Sequence, residues 1–275
     1  MVEQEVDKMV TTSTSDKMEA SAVTVNNMSV TSLVEANGAS SVSMQLLPRI
    51  TASNSPEYRH RLAEITSRAT LSDPLNIVFQ QEKTGRATAV TPDLLYVGAQ
   101  RRIETKVAAG ATVVEAANFA AVACWEPPSS NPPPFTDAQF AEMARERPVF
   151  AQFARDIQEA KLACLGAHQP YWTLSLMARD PERRDTGAVR AVIEPYVKRA
   201  KREKLPLWLV AGNPRARDVY AYFGFRVVKV IWSYPRERND GDEGVSTWCM
   251  VCNWPVEEGV GNVYVGSVHV PRSTR

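Results

Sequence analysis

The sequence predicts an α/β protein, and three observations carry that prediction. A short apolar run at residues 171–178 passes through a glycine-bearing basic turn into an amphipathic helix and then a second apolar run at 205–210, all within about 40 residues. Helical and strand-like patterns precede that unit through residues 43–165. At 275 residues and 44% hydrophobic content, the chain can bury one full core plus a tail, or two small domains.

Residues 1–42 contain no aromatic residue and no arginine, are rich in Ser, Thr, Val and Met, and carry six acids against two lysines. This composition cannot build a core, so a disordered N-terminal tail is expected. It also differs from a mitochondrial presequence, and no uninterrupted apolar run provides a signal peptide or membrane helix, so a soluble intracellular (cytoplasmic) protein is expected. Globular sequence begins near Ser43, with a first strand through Thr51.

Helical patterns follow at 56–68, 74–79 and 92–108, where Thr91 is suited to cap a helix opening on Pro92. Strands at 111–116 and 118–125 precede a stiff proline-rich loop at 127–134. Helices are expected at 137–146 and 149–165, divided by Pro148. Residues 171–178 are short, apolar and stopped by Asp180-Pro181, which fits a largely buried strand. Val189, Val192, Ile193, Tyr196, Val197 and Ala200 lay one stripe along a helix, and Pro195 within it predicts a kink. A strand at 205–210, a small helix at 215–222 and a strand at 225–232 complete the order; residues 254–275 either add a strand or trail across the surface.

A strand, helix and strand so closely spaced form a right-handed parallel unit, with the turn at the carboxyl end of the first strand. Gly187 sits where that strand hands over to the helix. Such a turn leaves backbone N–H groups unpaired at the positive end of the helix dipole, which suits a phosphate or pyrophosphate, and Arg183 and Arg184 add charge there.

The residues of this unit resemble the GNAT superfamily of acyl-CoA-dependent N-acetyltransferases. The family's cofactor motif, Gln/Arg-x-x-Gly-x-Gly/Ala after a strand ending in a pattern like Leu-Ala-Val-x-Pro, is matched by Met177, Ala178, Arg179 and Pro181, then by Arg184 and Gly187. The downstream pattern Asn-x-x-Ala-x-x-Leu-Tyr-x-x-x-Gly-Phe is met by Asn213, Ala216, Val219 in place of leucine, Tyr220, Gly224 and Phe225. Two departures stand out: Val189 where the family has Gly or Ala, and Arg179 where it has a small aliphatic residue. The specific motifs lie in 172–225, within a resemblance covering roughly 44–253.

The resemblance implies a mixed, mostly antiparallel central sheet of about six or seven strands with helices on both faces, in a domain spanning residues 43–275. It implies acetyl-CoA as co-substrate. Met177, Ala178 and Arg179 would form the strand edge for its thioester arm; Arg184, Asp185, Thr186, Gly187, Ala188 and Val189 would hold its pyrophosphate; Asn213, Ala216 and Tyr220 would complete the cofactor site. Tyr220 matches the general acid that protonates the leaving thiolate, and a phenol near pKa 10 can do this without losing its proton at rest. An acceptor amine with pKa about 10.4 is neutral in only roughly one part in a few thousand at pH 7, so a base or desolvation must assist. Glu115, Glu126 and His168 are candidates for that base, and Glu126 is the expected catalytic partner of Tyr220. Each could equally be a solvated carboxylate or a strand-end histidine.

Other chemistries find little support. Cys249 and Cys252 have zinc-like local spacing, but a structural zinc needs a second pair, and a strand would turn the two thiols to opposite faces. Buried thiols and no metal are expected. A net charge of +1, with the basic cluster at 183–204 broken by acids, gives no nucleic-acid footprint. A small-molecule or peptide amine is the expected acceptor, and its identity stays open. The alternative to an N-acetyltransferase is a non-catalytic GNAT-like binding or regulatory module in which Val189 crowds the pyrophosphate and weakens CoA binding.

Overall fold

Seven strands form one sheet in the order β1-β2-β3-β4-β5-β7-β6. A computed structural model describes residues 47–85, 90–235 and 244–254. The strands are β1 (Ile50–Ser53), β2 (Thr112–Ala116), β3 (Ala121–Glu126), β4 (Trp172–Arg179), β5 (Leu207–Ala211), β6 (Arg226–Ser233) and β7 (Val245–Cys252). The helices are α1 (Pro56–Ala69), α2 (Pro74–Thr84), α3 (Pro92–Ala108), α4 (Asp137–Glu146), α5 (Pro148–Leu165), α6 (Ala188–Glu203) and α7 (Pro214–Tyr222). Five pairings are antiparallel and one, β4 with β5, is parallel. The sheet is therefore mixed and mostly antiparallel, with helices on both faces. The tail expected over 1–42, and residues 255–275, lie outside the described residues.

Local signals set the helix starts. Prolines open α1, α2, α3, α5 and α7, and side chains of Ser55, Asp73, Thr91 and Asn213 accept backbone N–H groups of the first turns they precede. Thr136 and Gln139 form a reciprocal capping box on α4. Pro148 does not merely divide two helices: it is the first residue of α5. The N-terminus of α5 is capped from a distance, by the fully buried side chain of Glu82 in α2, which accepts from the N–H groups of Val149 and Phe150 (3.3 Å for the latter). Phe79 meets Phe150 and Phe153 edge to face beside it, with ring centroids 5.4 and 5.2 Å apart.

One face of the sheet is covered by α6 and α7. Trp125, Trp172, Leu174, Leu207, Leu209, Trp248 and Met250 pack there against Ala191, Val192, Ile193 and Tyr220. The α6 helix runs continuously through Pro195. Trp125 stacks on Tyr196 at 4.4 Å and donates its indole N–H to the Val192 carbonyl (3.1 Å), next to the turn where proline supplies no donor.

The opposite face carries two separate layers. Leu62, Ile65, Ala99 and Ile103 of α1 and α3 cover Val113, Val122, Cys124, Leu176 and Ala178. Phe153, Ile157 and Leu165 of α5 cover Trp208, Ile231, Cys249 and Val251. Cys249 belongs to this layer while Cys252 faces α6, as alternation along a strand requires.

The decisive irregularity lies in β4. Cys124 pairs with Leu176, but Trp125 pairs with Leu174, so Ser175 is an extra residue on β4, a β-bulge. Trp172 and Leu174 face α6, whereas Leu176 and Ala178 face α1 and α3. Parallel pairing with β5 stops at the same point: Trp172, Thr173 and Leu174 meet Leu207, Trp208 and Leu209, after which β4 runs on through Arg179 paired with β3.

Because Glu82 ties α5 to α2 through buried hydrogen bonds, Glu82→Ala is expected to cost about 2 kcal/mol of stability, and Glu82→Gln distinctly less, in urea denaturation followed by far-ultraviolet circular dichroism.

Candidate active site

Beyond Leu174 and Leu209 the two central strands part, leaving the β4 edge at residues 175–179 without a strand partner on the β5 side among the described residues. In an antiparallel ladder alternate residues turn both backbone groups away from their partner, so this edge offers N–H and C=O groups to the gap.

The chain leaves β4 through residues 180–187 and enters α6. Gly187 is the N-cap, with φ +77°, and no side chain caps the helix. Ala191 donates to the Gly187 carbonyl, while the first-turn N–H groups ahead of it remain at the positive end of the helix. A Cβ at position 187 would lie 3.3 Å from Pro48 and 3.4 Å from Leu47, so glycine answers both the left-handed backbone and the close approach of the chain entering β1.

A cleft of about 810 Å³ opens here between the start of α6 and one side of α7. Asp185, Thr186, Gly187, Ala188 and Val189 line it, with Arg179, Arg190 and Arg215 supplying three cations against Asp185 and Asp218. Asp185 is already engaged: Arg183 grips it through two contacts of 2.8 and 2.9 Å, which holds its carboxyl below the usual carboxylate range. Arg190 is likewise paired, with Glu194 at 2.7 Å, and Asp218 with Arg217 at 2.8 Å, so Arg179 and Arg215 are the lining charges without an ion pair among the described residues, and with the uncapped helix terminus they fit a polyanion such as a pyrophosphate.

Arg183 reaches further, donating to the carbonyls of Ala117 (2.9 Å) and Asn118 (3.0 Å) in the β2–β3 turn. Ala117, Asn118 and Phe119 all have positive φ, and Glu115 braces the same turn by accepting the Phe119 N–H at 2.8 Å. Thr51 also donates to Glu115. Glu115 therefore serves as a turn cap, and Arg183, expected only to add charge, is the bracket between that hairpin and the cleft.

The other expected site residues separate by position. Arg184 is exposed and donates to the Pro181 carbonyl at 3.2 Å. Met177 packs toward α6, Ala178 is buried on the opposite face, and Arg179 reaches the cleft. Val189 lines the cleft while packing partly on the α6-side core. Asn213 caps α7 by accepting the Ala216 N–H at 2.9 Å and donates to Asp73, itself the N-cap of α2, at 3.3 Å. Tyr220 is buried beside Phe225 in the α6-side core, and burial pushes its phenol well above the ordinary value. Its hydroxyl makes no hydrogen bond among the described residues.

Glu126 ends β3 opposite Thr173, so it lies toward the start of β4, away from the phosphate turn. It is buried and paired with Lys106 at 2.7 Å. Exposed His168 also precedes β4, at the end of the strand away from the turn. No signal in the sequence identified Lys106 or the Ser175 bulge, because the pairing that defines each is made across the sheet.

No family model matches this chain. Among solved structures, a mosquito arylalkylamine N-acetyltransferase-like protein (5b) aligns with a TM-score of 0.51 at 12% identity, covering 74% of this chain and 99% of its own. An acetyltransferase from Corynebacterium glutamicum, described as histone acetyltransferase HPA2 and related, aligns at 18% identity over 77% of this chain and 99% of its own, with a TM-score of 0.47. The chain has the fold of the GNAT superfamily.

Gly187→Ala is expected to lower stability by about 1–2 kcal/mol, since alanine must adopt the left-handed backbone and press on Pro48; chemical denaturation measures the loss.

Proposed function

We propose that this chain is an N-acetyltransferase that uses acetyl-CoA to acetylate an amine, with residues 43–275 as the catalytic domain. The observation that carries this reading is the parting of β4 from β5 beside an uncapped, arginine-lined helix N-terminus. Acetyl-CoA supplies an acyl group activated as a thioester, and the similarity to acetyltransferase structures gives the fold on which such a site is built.

In this reading the residues 184–189 and the first turn of α6 hold the pyrophosphate, with Arg179 and Arg215 adding charge. The free edge at Met177, Ala178 and Arg179 aligns the pantetheine arm and directs backbone donors at the thioester oxygen. Asn213 and Ala216 fix the start of α7, which forms the other wall and carries Tyr220. The acceptor nitrogen bonds to the acetyl carbon as the carbon–sulfur bond breaks. Tyr220, kept protonated by burial, donates to the departing sulfur and recovers a proton from the acceptor through solvent. Glu126 is the base in this scheme: one oxygen is tied to Lys106, and the other makes no hydrogen bond among the described residues.

The cofactor site next to Val189 also favours a second reading, a binding module with weakened CoA affinity, because a β-branched side chain stands in the first turn of α6. Calorimetric titration with acetyl-CoA distinguishes the two: saturable binding at micromolar cofactor supports the enzyme, and no heat or melting shift at millimolar cofactor overturns it. Val189→Gly is expected to tighten acetyl-CoA binding if the side chain crowds the phosphates, and unchanged affinity would remove that role.

Tyr220→Phe is expected to lower kcat about 10²-fold while leaving the acetyl-CoA Kd within two-fold. Equal losses in both would make Tyr220 a packing residue. Since its phenol titrates above the ordinary range, the wild-type rate profile should show no descending limb from this group below pH 10.

A further inference from the structure

Gly212 is the residue after Ala211, at the end of the strand that parts from β4. Its φ lies outside the positive range, so the backbone there does not call for glycine. Side-chain space does: a Cβ at position 212 would stand 3.1 Å from Oδ2 of Asp73. Asp73 lies in the short connection between α1 and α2, and the Asn213 side-chain amide donates to the same Oδ2 at 3.3 Å. The missing side chain thus lets a carboxylate settle against the end of β5, where the gap from β4 opens.

The side of the sheet follows from alternation. Leu207, Leu209 and Ala211 face the α6-side core while Trp208 and Val210 face α5, so position 212 turns away from the cofactor cleft. Gly212 comes three residues after Leu209, and Met177 three after Leu174, so Asp73 stands about level with the β4 edge assigned to the thioester.

Asp73 is half-buried. It accepts the Leu75 N–H at 3.0 Å and the Asn213 amide, yet makes no ion pair among the described residues. A carboxylate has about four lone-pair positions, so two remain to be filled. Loss of solvent raises its pKa above the ordinary value, the cost of holding this charge without a cation. A second group on the same side is also unmet. Trp248 pairs with Ala211, which places Thr247 beside Gly212, and alternation turns Thr247 to the side of Cys249 and Val251. Thr247 is fully buried, and its hydroxyl makes no hydrogen bond among the described residues. A carboxylate without a cation and a hydroxyl without a partner therefore flank one glycine.

We propose that Asp73 and Thr247 form the cation subsite for the acceptor, in which the ammonium of a primary amine donates to the carboxylate and the hydroxyl on the side of the sheet opposite the acetyl-CoA cleft. The proposal rests on the acetyltransferase reading and adds to it the class of acceptor, an amine protonated at pH 7 that bears no carboxylate. An ammonium has three N–H donors to share between the two groups and supplies the charge that Asp73 lacks. An acceptor with its own carboxylate would bring like charge toward Asp73. Asp73 acts here by binding and orienting the acceptor.

Asp73→Asn isolates the charge, because asparagine caps a helix as well as aspartate does and keeps an oxygen for the Leu75 N–H. With the full chain and acetyl-CoA, tyramine is compared with tyrosine and putrescine with ornithine. The member of each pair without the carboxylate is expected to show a kcat/KM about ten-fold or more higher. Asp73→Asn is expected to raise the KM for tyramine about ten-fold, to remove most of the preference and to leave the acetyl-CoA Kd within two-fold. Thr247→Val is expected to raise the same KM several-fold. Where no acceptor turns over, calorimetry on the CoA-loaded protein should show tyramine binding that Asp73→Asn weakens about ten-fold. A wild-type chain that binds acetyl-CoA but neither amine, or that shows no preference for the members without a carboxylate, overturns the acceptor subsite alone. Unchanged tyramine KM and affinity in Asp73→Asn do the same, whereas failure of the wild-type chain to bind acetyl-CoA overturns the reading on which the subsite rests.

Discussion

One additional residue in one strand organises this molecule. Had β4 run without the Ser175 bulge, Leu176 and Ala178 would continue the face begun by Trp172 and Leu174, and the ladder with β5 could extend toward Ala211. The bulge reverses which face β4 presents, bends the strand and strengthens its local twist. Its consequence is geometric: two strands hydrogen-bonded at one end cannot remain so at the other. Ser175 donates to the Cys124 carbonyl at 3.2 Å, so even the inserted residue is tied to the neighbouring strand. The exposed β4 edge beside the arginine-lined cleft depends on this parting.

The turn beyond β4 is held with comparable care. Three successive non-glycine residues with positive φ, at 117–119, cost about 1–2 kcal/mol each in an L-chain, so the β2–β3 turn persists only because its surroundings dictate it. Glu115 satisfies the Phe119 N–H, and Arg183 satisfies two carbonyls while gripping Asp185. Strain in one loop is thereby coupled to the position of the next. The acidic side chain in an otherwise cationic cleft is part of this bracket, which explains how a carboxylate can line a surface suited to an anion.

Much of this architecture was legible in residue order. Prolines preceded by Ser, Asp, Thr or Asn marked helix starts to within a residue, because capping chemistry acts over three or four positions. The parallel β4–α6–β5 unit followed from apolar spacing and the Gly187 turn. The bulge did not, since Trp172, Leu174, Leu176 and Ala178 read as one unbroken alternation and only pairing with β3 reveals that the pattern changes sides. Long-range capping was equally silent: Glu82 reads as a surface acid of a helix until α5 is placed 67 residues further along the chain. Asn213 illustrates a third case, in which a motif position is legible but its immediate partners, Ala216 and Asp73, show what physically fixes it.

Charge shows most clearly where sequence-level arithmetic fails. A net charge of +1 over 275 residues describes a nearly neutral molecule. Potential at a site, however, depends on which charges share a low-dielectric recess and which are paired off elsewhere. Arg190 joins Glu194 at 2.7 Å, Arg199 joins Glu203 at 2.7 Å, and Arg68 joins Asp180 and Glu182, so much of the acidic content is consumed in local pairs. Arg179 and Arg215, in the lining of the cleft, are left without an ion pair among the described residues. A cationic cleft can therefore form on a chain that remains close to neutral overall, because the acids that would offset it are tied up in pairs of their own.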